Sequence, residues 1–307
     1  MWRFLCRRLF HAAIVTVGVV SVVFLLIHIV PGDPVEVMLG ESAVAAERTA
    51  LRHALGLDQP LAVQWLHYLC GLLRFDMGSS LYSRRAIFDV LCERLPATVI
   101  LAAAAMIVAL IISVPLGIFS ARRPGRSFDL CSAGYAAMAA AVPSFWLGPM
   151  LVWVFALQLG WFPVSGREGG ASLVLPALTL GVGLSVPLMR ILRGSLLEVA
   201  QEDFLRAARA RGLPPRVLFL HYALRNAALP ALTVFGLQLG ALLGGAVITE
   251  TIFQWPGVGL LTVEAILRRD YPMLQGCVLL IAVIYVGVNM LVDLAHGALD
   301  ERVRASS

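Results

Sequence analysis

Three apolar runs, AAIVTVGVVSVVFLLIHIV (12–30), ATVILAAAAMIVALIISVPLGIFS (97–120) and GCVLLIAVIYVGVNMLVDL (276–294), constrain this chain more than any other feature. Each approaches or exceeds the roughly 20 residues needed to cross the hydrocarbon core of a bilayer. A soluble core needs no uninterrupted apolar length of that kind. Composition agrees, with 59% hydrophobic and 14% charged residues against roughly 25% charged in soluble domains. The chain reads as an all-α polytopic membrane protein.

The apolar pattern predicts six membrane helices, at about 9–31, 97–120, 132–160, 173–192, 228–250 and 275–298. The third window is long and holds Pro143 and Pro149. Proline is tolerated inside membrane bundles, so one kinked, tilted helix is expected there. The first run exceeds a usual signal core and no small-x-small cleavage site follows it, so it is expected to remain as the first span.

Arginine placement sets the orientation. Arg3, Arg7 and Arg8 precede the first helix, Arg122, Arg123 and Arg126 follow the second, and seven arginines from Arg190 to Arg225 lie between the fourth and fifth. The positive-inside rule makes these segments cytoplasmic. Residues 32–95, with more acids than arginines, and WFPVSGREGGA (161–171) then fall outside, and both termini lie in the cytoplasm. The net charge of +5 is thus a topology signal and not a nucleic-acid footprint.

The polar stretch RAARARGLPPRVLFLHYALRNAALP, Arg206 to Pro230, interrupts this pattern. From Leu196 to Arg211 the rhythm is helical, with Phe204, Ala207, Ala208 and Arg211 on one face and Arg206 and Arg209 projecting elsewhere. Gly212 permits a tight turn, Pro214 and Pro215 stop the helix from continuing, and a second helical pattern resumes at Arg216. On these grounds alone the segment is either a docking plug for a partner or an interfacial amphipathic loop meeting anionic lipid.

FLRAARARGL and HYALRNAALP decide between them by resemblance. They are similar to the cytoplasmic coupling motif of ABC-transporter permeases, a Glu-Ala-Ala, three-residue, Gly pattern with a downstream Ile-x-Leu-Pro ending. Ala207, Ala208 and Gly212 stand at its small-residue positions, and Leu229 and Pro230 supply the ending. Arg206 stands where many members have Glu, and Ala227 replaces Ile. IVPGDPVEVMLG, GLDQPLAVQWLHYLCGLLRFDMGSS, RLPATVILA, VPSFWLG, LPALTLG, ETIFQWPGVGLL and RRDYPMLQG follow in the order of the dipeptide, oligopeptide and nickel permease branch, across nearly the whole chain. Met77 replaces the more common Leu.

The resemblance implies a type I ABC importer transmembrane fold. It divides the chain into an N-terminal helix (1–31), an extracytoplasmic segment with short helices (32–95), a transmembrane domain (96–298) containing the coupling segment 196–226, and a cytoplasmic tail (299–307). It implies a second, homologous permease subunit, two ATPase subunits that carry ATP and Mg, an extracytoplasmic solute-binding protein, and a bacterial inner-membrane setting among lipids. The chain itself would bind no cofactor or metal and catalyse nothing. Dipeptides or oligopeptides are the expected cargo, with nickel or a metal chelate as the alternative.

Candidate ATPase-coupling residues are Glu202, Asp203, Arg206, Ala207, Ala208, Arg209, Arg211 and Gly212. Phe253, Trp255, Pro256, Gly257 and Gly259 are expected to make a re-entrant turn, either an aromatic interface anchor or, as the resemblance implies, lining the outer gate or meeting the binding protein. Gln238 and Asn289, polar within apolar windows, are candidate pathway residues, although Asn289 and Asp293 could pair with the bundle or headgroups. Gly236, Gly240, Gly244 and Gly245 suggest close helix packing. The five cysteines have no metal spacing, and a Cys70–Cys92 bridge remains open.

No paired catalytic constellation marks an intramembrane protease, no inverted repeat marks a secondary transporter, and no phosphate loop marks a fused ATPase. A membrane scaffold using the same polar loop would differ from a transporter in moving no solute.

Overall fold

The computed structural model describes residues 2–29, Thr49, His53 and 58–299. The expectations for IVPGDPVEVMLG beyond Ile29, for most of the segment that follows it, and for the tail from Asp300 lie outside the described residues. Ten helices carry the architecture among the described residues. In chain order they are α1 (Trp2–Ile29), α2 (Leu61–Leu73), α3 (Ile87–Arg122), α4 (Ser127–Ala141), α5 (Ser144–Leu151), α6 (Val174–Val199), α7 (Asp203–Ala210), α8 (Leu224–Ile252), α9 (Val258–Leu267) and α10 (Tyr271–Leu299).

Among the described residues, four segments are long and apolar enough to cross a membrane: Ile87–Arg122, Gly170–Val199, Pro215–Leu242 and Tyr271–Val292. A fifth exists if the bent pair α4–α5 counts as one span. At a rise of 1.5 Å per residue the 36 residues of α3 extend about 54 Å, well beyond a core of about 30 Å. The helix therefore projects past the bilayer, and begins well before the Ala97 start expected from hydropathy.

One stripe of mostly small residues on α3 faces inward. Ala97, Leu101, Ala105, Ala109, Ser113 and Gly117 recur every four residues and are buried, whereas Ile107 and Ile111 are exposed. Without a hydrophobic drive between helices in lipid, close backbone approach and van der Waals contact hold the pair together. The partner is α6, where a Cβ on Gly181 would stand 2.5 Å from Val108. In the apolar window of α6, 61% of residues are buried, against 28% or fewer in the other spans. It is therefore the central helix, packed between α3 and α8. The α8–α10 contact repeats the device, with Gly236 against Val292 and Gly240 against Tyr285.

The third window departs from the single kinked helix expected. Its two halves, Ser127–Ala141 and Ser144–Gln158, meet at 100°. Val142 is extended (φ −93°, ψ 113°), as the ring of a following proline demands. Pro143 then starts the next helix, its carbonyl accepting from the Trp146 and Leu147 N–H groups at 3.0 Å. Beyond Pro149 the helix widens into a π-turn over Val152–Gln158.

Candidate functional site

The polar interruption folds as an elbow. After α6 ends at Val199, the Gln201 and Glu202 N–H groups donate to the Glu198 and Val199 carbonyls at 3.0 and 3.1 Å. Helix α7 then carries Asp203 in its first turn and Arg209 in its last, each sign complementing the helix dipole. Gly212, at φ +76°, donates to the Arg209 carbonyl at 3.0 Å and closes the helix in the left-handed conformation that glycine adopts without strain. Pro215 opens the next turn at the first helical position, where its missing N–H costs nothing. A π-turn, Leu218–Ala223, leads into α8.

The elbow has its own core. Leu205 and Ala208 are buried with Leu192 and Leu196 of α6 and with Leu218, Ala223 and Ala227, and Ile118 and Ala121 of α3 pack against the cluster. Arg122 lies over the Phe219 ring at 5.2 Å. Glu202, Asp203, Phe204, Arg206, Ala207, Arg209, Arg211 and Gly212 are exposed. This corrects the sequence-based face: Ala208 turns inward with Leu205, while Phe204, Ala207 and Arg211 remain outside. Ala208 is thus small for the elbow's own packing. Arg206 pairs with Asp203 at 3.2 Å on the exposed side.

The 29-residue α8 spans about 44 Å, so the 250–259 turn lies at the membrane face opposite the elbow. Phe253 and Trp255 are each only 1% exposed, both rings packed inside the chain. The Trp255 indole donates to the Ala97 carbonyl of α3 at 2.8 Å. Pro256 is half-buried and Gly257 and Gly259 are buried.

Both glycines make room for Glu250, a fully buried acid that the sequence reading passed over. A Cβ on Gly257 would collide with the Glu250 carboxylate, and one on Gly259 would stand 2.9 Å from it. The Thr98 hydroxyl donates to Glu250 Oε1 at 2.7 Å and the Leu260 N–H to Oε2 at 3.0 Å. Thr98 in turn accepts from the Val258 N–H at 2.8 Å. The acid therefore caps α9 and ties it to α3. An ionisable residue closing an apolar run was the signal available for it.

At the other end of α9, buried Asp270 accepts from the Ser80 hydroxyl at 2.5 Å, the Leu81 N–H at 3.2 Å and the Met273 N–H at 3.3 Å. It caps α10 and holds the end of the segment preceding α3. Arg268 lies over the Tyr82 ring at 4.2 Å.

The two candidate pathway residues are engaged separately. Gln238 donates to the Leu184 carbonyl of α6 at 3.1 Å, whereas Asn289 donates to the Tyr285 carbonyl of its own helix at 2.9 Å. The Asp293 side chain and the surroundings of Gly244 and Gly245 lie outside the described residues. Cys70 and Cys92 are free and exposed.

Comparison with known proteins places this geometry. The model of the binding-protein-dependent transport system inner membrane component matches residues 113–305. The model of the N-terminal part of such membrane components matches residues 1–102. The chain belongs to this family of transport permeases. The permease is 39% identical to the dipeptide transport system permease protein DppB of Escherichia coli K12 over 336 residues, covering 99% of each chain. It is 41% identical over 339 residues to the di/tripeptide permease DppB of Pseudomonas aeruginosa, again covering 99% of each. The glutathione permease GsiC of Escherichia coli K12 is 37% identical over 305 residues, covering 99% of each.

Among solved structures, the inward-facing MetNI methionine ABC transporter aligns at a TM-score of 0.58 and 16% identity, over 69% of the permease and 96% of that chain. An amino acid ABC transporter aligns at 0.54 and 14%, over 68% and 94%. The permease thus has the transmembrane fold of ABC importers.

Proposed function

We propose that this chain is the membrane permease subunit of an ATP-driven importer for dipeptides or short oligopeptides in the bacterial inner membrane. The observation that carries this reading is its end-to-end similarity to dipeptide, di/tripeptide and glutathione permeases. Six spans with both termini cytoplasmic, a second homologous permease subunit, two ATPase subunits and an extracytoplasmic solute-binding protein complete the proposed assembly. The chain catalyses no reaction: ATP and Mg bind to the ATPase subunits, and the permease binds no cofactor of its own.

The elbow supplies the link. Its exposed Phe204, Ala207, Arg209 and Arg211 face the ATPase, and its buried Leu205 and Ala208 fasten it to α3, α6 and α8. Closure of the ATPase subunits drags the elbow, and the buried central helix α6 moves with it. Helix packing that is bistable rather than continuously deformable converts this displacement into two discrete access states.

The test is uptake of radiolabelled dipeptides, tripeptides and nickel chelates by proteoliposomes containing the complete transporter. ATP-dependent accumulation of the peptides supports the reading. Accumulation of the nickel chelates alone replaces the cargo, and accumulation of none overturns the transport role.

A further inference from the structure

One partly buried ion pair near the elbow has no part in the elbow's own packing. Asp129, in the first turn of α4, accepts from Arg193 of α6 through both oxygens: Nε to Oδ1 and Nη2 to Oδ2, each at 2.7 Å. The Gly125 N–H donates to Oδ2 at 2.9 Å, fixing the turn that joins α3 to α4. The Asp129 side chain is 10% exposed and that of Arg193 34%, so the carboxylate is sheltered while the guanidinium keeps an edge at the surface. A two-pronged guanidinium–carboxylate contact fixes orientation as well as distance.

The position of the pair gives it a consequence. Arg193 adjoins Leu192 and lies one turn from Leu196, both members of the elbow cluster. Helix α4 touches α6 again halfway along, where the Tyr135 hydroxyl meets the Ser185 hydroxyl at 2.7 Å and Ala136 packs on Val186 and Met189. Beyond the 100° break, α5 reaches the opposite membrane face. There a Cβ on Gly148 would stand 3.3 Å from the Phe253 ring of the 250–259 turn. The bent pair α4–α5 is therefore a strut running from the elbow end of α6 to the far turn, clamped at its elbow end by Asp129 and Arg193.

We propose that Asp129 and Arg193 are positioning residues that make the bent pair follow α6, so that elbow movement reaches the opposite face of the membrane. The inference rests on the transport reading above. A bare staple has no need of this geometry, since surface and partly buried ion pairs alike add little net stability. Oriented coupling instead requires the planar fork, which lysine cannot reproduce.

The experiment compares Asp129→Asn, Arg193→Lys and the double exchange D129R/R193D in the complete transporter, reconstituted with its second permease, ATPase subunits and binding protein. Assembly, unstimulated ATP hydrolysis and peptide transported per ATP are measured together. Both single variants are expected to assemble and hydrolyse ATP as the unmodified complex does, while transport per ATP falls by about fivefold or more. The double exchange is expected to recover part of the ratio. An unchanged ratio in the single variants overturns the proposal, as does failure of both to assemble, which would mark the pair as a structural staple. If the unmodified complex itself moves no peptide, the transport reading fails instead.

Discussion

Glu250 and its neighbours show how single residues set the outer turn. The carboxylate is fully buried, yet each of its oxygens has a donor, the Thr98 hydroxyl for one and the Leu260 N–H for the other. Removing the hydroxyl leaves the Val258 N–H and one carboxylate oxygen without partners at that point, and each orphaned buried polar group costs about 1–3 kcal/mol. Thr98→Val is expected to lower the thermal midpoint of the purified permease by several degrees, and Thr98→Ser to leave it nearly unchanged, as measured by unfolding in detergent. Gly212 acts at the elbow in the same residue-level way. Any other side chain there meets φ +76°, at about 1–2 kcal/mol. Gly212→Arg adds bulk on the exposed side and is expected to weaken recovery of the ATPase subunits and abolish peptide uptake at matched permease levels, read by co-purification and transport.

At the scale of elements, membrane packing inverts the soluble pattern, and α3 makes the inversion testable. Ala105 faces α6 with no exposed surface, whereas Ile111 is 66% exposed. Ala105→Leu is expected to destabilise the permease by about 1–3 kcal/mol through overpacking, and Ile111→Ala to change little, in the same unfolding assay. The long helices were legible in the sequence because length and apolarity alone mark a span. The break at Pro143 was not, since a proline inside an apolar run fits a kink and a full stop equally well. Helix α9 escaped notice because its ten residues are too few for a span and follow a glycine- and proline-rich motif that reads as a turn. The eight-residue α7 offers two turns of pattern, too little to decide which of the adjacent Ala207 and Ala208 is buried.

Across the whole molecule, α6 stands between α3 and α8, the elbow closes one end and the 250–259 turn the other. The candidate elbow was visible in the sequence as a charge anomaly. The acids Glu250, Asp270 and Asp129 were not, because their partners Thr98, Ser80 and Arg193 are remote in the chain and only the fold brings them together. The most direct test of force transfer through the elbow uses Ala207→Cys in a background lacking the five native cysteines, labelled with a membrane-impermeant maleimide. Labelling is expected only in inside-out vesicles, and only until the ATPase subunits are bound over it. Labelling of intact, right-side-out cells, or labelling indifferent to the ATPase subunits, would contradict it.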